Sequence, residues 1–397
     1  MEAQERSFAV TFTPSRILWF GVIALAATAL CVKLFSTRSP APKNAGVDNQ
    51  TRTESQKDSV LASSDVQSQW AQLYHENFAG DAACVECHQE QADAHRRSGH
   101  SHTAIRFAES GLASQIQGTQ FTDEILNQTL TFQSDGRQYW VEAESSIGIG
   151  TVTIDWLLGS GTHAQTPVSV LENGRRGVEH HWTKFAGSDN LQLSPDHEDF
   201  AFDSRHPLTD FGRPLDAESL KNCLGCHMTW GPPPNGLVNN AELVPNISCE
   251  RCHGPRKKHV LSARNGGLEA VSPMVKLDSP AAELKLCSQC HRDETMINPD
   301  SAAHELARFQ PYGLKQSACF RESNGNLSCS TCHDPHDAAS RNRSRYNSIC
   351  RDCHMEDDDS TCSAGRNNQC ISCHMPAVEW VRGMHFHDHR IQIPATE

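Results

Sequence analysis

The stretch Cys84-Val85-Glu86-Cys87-His88 decides how this chain folds, because its Cys-x-x-Cys-His spacing returns six more times. Two cysteines three positions apart lie on one side of a helical turn, and the next histidine is held beside them. Such thiols can add to the two vinyl groups of one haem while the imidazole binds its iron. The spacing is therefore the signature of c-type haem attachment. The thiol pairs are Cys84/Cys87, Cys223/Cys226, Cys249/Cys252, Cys287/Cys290, Cys329/Cys332, Cys350/Cys353 and Cys370/Cys373. The motif histidines, first to seventh, are His88, His227, His253, His291, His333, His354 and His374.

Zinc binding is the first alternative, since paired cysteines also build zinc ribbons. Zinc sites do not need a histidine after every second cysteine, and neither does a redox dithiol or a disulfide framework. All seven copies here carry that histidine, so the sequence favours seven covalent haems c. The motifs use 14 of the 17 cysteines and leave Cys31, Cys319 and Cys362. A disulfide between Cys319 and Cys362 and two free thiols both remain open.

The composition predicts a core that side chains alone do not fill. The chain has 397 residues, of which only 7% are aromatic. Buried porphyrins would supply the missing apolar volume, so we expect a mainly α fold of short, haem-templated helices and loops. Hairpin signals at Ser134-Asp135-Gly136 and Asn173-Gly174 predict a small β insert at about 120–186.

The N-terminus predicts attachment to a membrane. Residues 1–16 are polar and are expected in the cytoplasm, whereas 17–35 form an apolar segment that fits a signal anchor or transmembrane helix. A cleaved signal peptide remains the alternative. Residues 36–69 are rich in Ser, Asn, Gln and Pro and predict a flexible periplasmic linker before a haem domain at 70–397. Haem is attached to cysteine pairs on the outer side of the inner membrane. We therefore expect a protein that is anchored in the inner membrane and faces the periplasm.

Net charge limits the partners. The formal charge is −13, and haem propionates add to it. Nucleic acid is therefore excluded as a partner, and a basic redox protein would be attracted.

Six-coordinate haems also need a second axial ligand. After the seven motif histidines, 15 of the 22 histidines remain, a surplus that favours this role for several of them. His259 and His336 each lie a few residues past a motif, so each is expected to serve a neighbouring haem. The predicted second ligands are His100, His163, His259, His304, His336, His385 and His389. Four others, predicted to be structural or near propionates, are His180, His181, His197 and His206.

Several stretches extend the motifs into a family resemblance. They are Ser98-Gly99-His100, Gly159-Ser160-Gly161-Thr162-His163, Cys249 to Pro255 with His259, Cys329 to His336, Cys370 to Pro376 and Asp388-His389-Arg390-Ile391. With them, residues 84–391 resemble bacterial multihaem c-type cytochromes related to the tetrahaem electron acceptor of hydroxylamine oxidoreductase. The resemblance implies a mostly α-helical fold around closely packed haem pairs, with electron transfer as the activity. The N-terminal segment, the haem number and the β insert depart from that family.

Two functions stay open at this point. The first is a membrane-tethered electron carrier between a quinol-oxidising membrane donor and a periplasmic acceptor, and it is more consistent with the sequence than catalysis. The second is an oxidoreductase that acts on a small nitrogen or sulfur compound at one open-coordinated haem. Its candidate acid and base groups are Glu179-His180-His181 and Asp196-His197-Glu198.

Overall fold

A computed structural model describes most of the chain beyond residue 67. The described ranges are 68–123, 128–145, 148–197, 206–267, 277–354, 369–381 and 383–393. The apolar segment 17–35, most of the predicted linker, Cys31 and Cys362 lie outside them. Within these ranges no helix has both the length and the apolar character that crossing a bilayer requires.

Fifteen strands are present in the described residues. They are β1 Ala104–Arg106, β2 Gln120–Asp123, β3 Gln128–Ser134, β4 Tyr139–Ser145, β5 Gly148–Thr153, β6 Trp156–Leu158, β7 Ala164–Leu171, β8 Arg176–His180, β9 Trp182–Phe185, β10 Leu191–Leu193, β11 Gly212–Asp216, β12 Met228–Trp230, β13 Val244–Pro245, β14 Ala377–Val381 and β15 Met384–His387.

The first eleven strands build two antiparallel sheets. β2-β3-β4-β5 form a four-stranded meander, and the seven-stranded sheet runs β1-β6-β7-β8-β11, with β9 on β7 and β10 on β9. Both hairpin predictions are confirmed: Ser134 pairs with Tyr139 across one turn, and Leu171 pairs with Arg176 across the other. We refer to this region, residues 104–216, as the β region.

The prediction of a mainly α fold with a small β insert is wrong. The strands of the β region begin before residue 120 and continue well past 186, and two further hairpins, β12-β13 and β14-β15, lie outside it. The reason is strand length. β1, β6 and β10 have three residues each, too few to show an alternating pattern, and β1 is in the sheet only because it pairs with β6, about fifty residues along.

The helices are short. They are α1 (68–77), α2 Asp81–Val85, α3 Gln89–His95, α4 Gly111–Ile116, α5 Ala217–His227, α6 Cys249–His253, α7 Lys257–Arg264, α8 Pro280–His291, α9 Gln310–Gln316, α10 Ala318–Glu322, α11 Cys329–Cys332, α12 Arg343–Cys353 and α13 Cys370–His374. Single 3₁₀ turns lie at Gly99–His102, Phe107–Glu109, Glu172–Gly174, Pro207–Asp210, Glu294–Met296 and Glu305–Arg308.

Side chains fill the β region, whereas the described residues beyond the β region and α5 have little apolar core. One cluster packs Phe132 edge-on to Trp182 with ring centres 4.9 Å apart, and Phe107 lies beside them. A second cluster packs Trp156 against the α5 leucines. In the described residues from 249 to 393, the buried hydrophobic residues are only Leu284, Ala307, Phe309, Leu314, Ile371 and Met384. Described residues 68–103 contain no buried hydrophobic residue, so the expected shortage of apolar volume is found on both sides of the β region.

A buried polar network joins the sheet to the loop before β13. The Asp155 carboxylate accepts from the Val170 backbone N–H at 2.8 Å and from the Asn240 amide at 2.9 Å. The Asn240 side-chain oxygen accepts from the Trp156 indole at 2.8 Å, and the Arg106 guanidinium lies 4.5 Å from the Trp156 ring centre. Burial raises the pKa of Asp155 to about 6 despite these donors.

Asp155 is expected to make the folded chain less stable as the pH rises. Its pKa in the folded state lies above the unfolded value, so ionisation opposes folding and stability falls as the pH passes through about 6. Between pH 4 and pH 7, the free energy of unfolding of the unaltered chain should fall by about 2 kcal/mol more than that of Asp155→Asn. Chemical unfolding followed by circular dichroism measures this difference. Asp135→Asn is the control, because backbone N–H groups lower the pKa of Asp135 and its effect lies below that window. An unchanged slope in Asp155→Asn would refute the assignment.

Candidate haem-binding site

Each Cys-x-x-Cys-His motif forms or follows a helical turn. The backbone N–H of His88 donates to the Cys84 carbonyl at 2.9 Å, and His333 and His354 make the same bond to Cys329 and Cys350. This bond holds the first cysteine and the histidine on one side of the turn. In the second motif, the completely buried Leu220 and Leu224 anchor α5 against the sheet and so position the motif at its end.

The motifs surround one continuous cavity of about 3280 Å³. All seven motif histidines line it, as do all the motif cysteines except Cys223, which packs against the second side-chain cluster. A pocket for one small ligand has a volume of about 300–1,000 Å³. A cavity several times larger, ringed by seven attachment motifs, fits a group of porphyrins rather than a single substrate.

Four motif histidines face a second imidazole across this cavity. Ring centres are 6.5 Å apart for His88 and His259, 6.1 Å for His291 and His100, 6.0 Å for His253 and His336, and 6.2 Å for His333 and His389. Two imidazoles bound to opposite sides of one metal, each nitrogen about 2 Å from it, have ring centres roughly 6 Å apart. The chain therefore already holds these pairs at the spacing that a bis-histidine iron requires.

The pairs cross between motifs. His259 follows the third motif and faces the first, and His336 follows the fifth motif and faces the third. A haem on the first motif would thus depend on the chain segment of the third, and a haem on the third on the segment of the fifth. Such cross-coordination fixes the distance between them.

Hydrogen bonds and burial orient several cavity histidines and keep them neutral, as iron binding requires. Nδ1 of His227 donates to the backbone carbonyl of Thr103 at 2.9 Å. Nδ1 of His374 donates to the carbonyl of Gln392 at 3.0 Å, and Nδ1 of His389 donates to the carbonyl of His387 at 2.8 Å. A haem or metal ligand is typically oriented in this way, which leaves Nε2 free. Burial lowers the pKa of His389 to about 4 and also lowers the pKa of His100 and His291. These imidazoles are neutral near pH 7, the form that binds metal.

The remaining predicted second ligands have different positions. His163, in the turn after β6, and His385, on β15, line the cavity. His304 lies exposed before the 3₁₀ turn Glu305–Arg308 and does not line it. Two cavity histidines, His95 and His387, are absent from the predicted set. The every-second-residue spacing of His385, His387 and His389 is the signal that identifies His387.

Two carboxylates, one buried and one half-buried, tie motifs together. Glu250, inside the third motif and 2% exposed, accepts from the backbone N–H groups of Ala79, Gly80 and Arg256 at 2.8–3.1 Å. It therefore holds the chain that leads into the first motif. Glu283 on α8 accepts from the Ser330 N–H inside the fifth motif.

The histidines assigned to structural roles lie in the β region, apart from the cavity. His180, His181 and His197 are at most 1% exposed. The two Nδ1 atoms of His181 and His197 are 2.9 Å apart, and Nε2 of His197 lies 3.6 Å from Glu179. None of these residues lines the cavity. His206 accepts from the Leu208 N–H and begins a 3₁₀ turn.

Seven haem-attachment motifs around one cavity, with opposed histidines, are the arrangement expected of a multihaem c-type cytochrome. Comparisons with known proteins agree. The family model for cytochrome c554 and c-prime matches residues 183–254, which contain the second and third motifs.

Two individual proteins are also similar. The chain is 24% identical over 215 residues to the multihaem cytochrome MtrA of Shewanella baltica (strain OS185), which covers 48% of this chain and 62% of that protein. The chain thus spans less than two thirds of the length of this relative. Among solved structures, the outer cell wall cytochrome OcwA aligns with a TM-score of 0.46 and 16% identity over 79% of each chain. Neither the family model nor these two proteins refer to hydroxylamine oxidoreductase in their descriptions. The resemblance to its electron acceptor therefore stays a prediction.

Proposed function

We propose that this chain binds seven haems c and carries electrons through them between a quinol-oxidising membrane donor and a periplasmic acceptor. The observation that carries the proposal is the contact between motifs. The sulfur atoms of Cys84 and Cys249 belong to one group of ligand atoms within 4.8 Å of each other, and those of Cys287 and Cys329 belong to another. Haems attached at adjacent sulfurs lie close enough to exchange electrons.

Further contacts support a connected array. Cys226 lies within hydrogen-bonding reach of Cys290, which joins the second motif to the fourth. The backbone N–H of Ile371 donates to the Asn347 side chain at 3.3 Å, which joins the seventh motif to α12 of the sixth. In such an array the protein sets each potential through axial ligands, burial and nearby charge.

The periplasmic side of the inner membrane is the proposed location. The support is chemical, since haem is joined to cysteine pairs outside the cytoplasm. The formal charge of −13 favours an acceptor with a basic face. Detection of the haem-bearing chain in the cytoplasmic fraction of fractionated cells would contradict this location.

Catalysis at an open haem has less support. Its candidate groups, Glu179, His180, His181 and His197, lie in the β region and do not line the cavity. They are therefore not placed to exchange protons with a substrate bound to a haem in that cavity.

Spin-state counting tests the carrier function. Paramagnetic resonance of the oxidised protein should show only low-spin haem, and nitrite, hydroxylamine and cyanide should leave the spectrum unchanged. Reductive titration should take up seven electrons per chain, one for each motif. A high-spin haem that binds nitrite or hydroxylamine and converts it would instead establish the oxidoreductase.

A further inference from the structure

Three motif histidines have no facing imidazole at ligand spacing within the described part of the chain. They are His227, His354 and His374, whereas the other four motif histidines each face a partner ring. The cavity histidines not used in those four pairs are His95, His163, His385 and His387.

The ring of His387 is oriented by a hydrogen bond from Nδ1, as the ring of an axial histidine typically is. It lies at the end of β15 opposite Ala377 of β14, and its Nδ1 donates to the Met375 carbonyl at 2.7 Å. That bond fixes the tautomer and leaves the Nε2 lone pair free. His389, two residues on, has the same kind of bond to a carbonyl and faces His333 at 6.2 Å.

The hairpin also limits which haem His387 can reach. Met375 directly follows His374, so His387 lies on the His374 side of the seventh haem rather than across it. The sixth motif is the neighbour of the seventh, since α12 and α13 pack together and Asn347 bonds Ile371. The sixth motif also adjoins the fifth, whose histidine faces His389, because α11 packs on α12 and the Tyr346 hydroxyl of α12 lies 3.4 Å from Nδ1 of His333.

We infer that His387 is the distal ligand of the haem on the sixth motif, opposite His354. The inference rests on the proposed function, since it requires a haem there. With His387 in place of His304, seven candidate second ligands line the cavity beside the seven motif histidines, and His95 is an eighth histidine there. One candidate second ligand is then available for each motif histidine. Every haem is six-coordinate in this arrangement, as an electron carrier requires.

The test is His387→Ala in the full chain, read by paramagnetic resonance and intact mass. One haem per chain should change from low-spin to high-spin while all seven haems remain attached. His387→Met should keep that haem low-spin and raise its potential, because a Met/His pair raises the potential of haem. His304→Ala is the matched control and should leave the spectrum unchanged.

A second background checks which haem is involved. In Cys350→Ser/Cys353→Ser, which removes the sixth haem, adding His387→Ala should create no further high-spin signal. A high-spin signal in that background would overturn the assignment to the sixth motif, and unchanged spectra in both His387→Ala and His387→Met would overturn the ligand role. Fewer than seven haems in the unaltered protein would instead be a failure of the proposed function.

Discussion

Replacing His336 by alanine is expected to convert one haem in seven from low-spin to high-spin. His336 faces His253 with ring centres 6.0 Å apart and ring planes 7° from parallel, the best aligned of the four pairs. Without the imidazole, a haem on the third motif would keep only its motif histidine and would have an open face. Cyanide, which the unaltered protein should not bind, should then bind one haem per chain.

The angle between the two rings of a pair distinguishes the effect of His336→Ala from that of removing a ligand from the pair His100 and His291. His100 and His291 are inclined at 75°. Parallel and perpendicular axial rings split the iron orbitals differently, so His336→Ala and His100→Ala should remove different low-spin resonances. His102→Ala is the control for both, since His102 is exposed and bonds the Arg96 carbonyl at 2.9 Å. Loss of the same resonance in both variants, or of none, would contradict the pairing.

Removing the fourth haem is expected to slow electron exchange through the array by at least an order of magnitude. The fourth motif adjoins three others. Cys290 lies beside Cys226 of the second motif and within hydrogen-bonding reach of Arg251 of the third, and Cys287 lies beside Cys329 of the fifth. In Cys287→Ser/Cys290→Ser the second haem loses this neighbour. Transient absorption after photoreduction should show slow re-equilibration among the six haems that remain.

The matched control removes the seventh haem instead. Its motif adjoins the sixth through α12 and α13. In Cys370→Ser/Cys373→Ser, exchange among the first five haems should keep its rate. Equal slowing in the two variants would show that the fourth motif is not the junction of the array.

The sequence predicts the site better than it predicts the fold, and the reason is physical. A haem motif is five adjacent residues, so its chemistry is visible without tertiary structure. The spacing of His259 and His336 beyond their motifs likewise indicates neighbouring haems, and both rings lie opposite other motifs in the structure. Whether these histidines bind iron stays a prediction that the variants above test.

The extent of the β region cannot be predicted from local sequence because its strands depend on distant partners. β1 pairs with β6 and β11 pairs with β8, so neither is evident from local pattern. The composition also misled, since an average over the chain conceals a side-chain core concentrated around Trp156 and Trp182. The sequence shows His387 between two predicted ligands, but its bond to the Met375 carbonyl depends on the hairpin β14-β15.

The most direct test of the central claim is the intact mass of the purified chain, measured together with its haem absorbance. We expect covalently attached haem at all seven motifs, so the mass should exceed that of the polypeptide by seven haems. A colourless chain with the mass of the bare polypeptide, or one that carries metal ions without tetrapyrrole, would contradict the account.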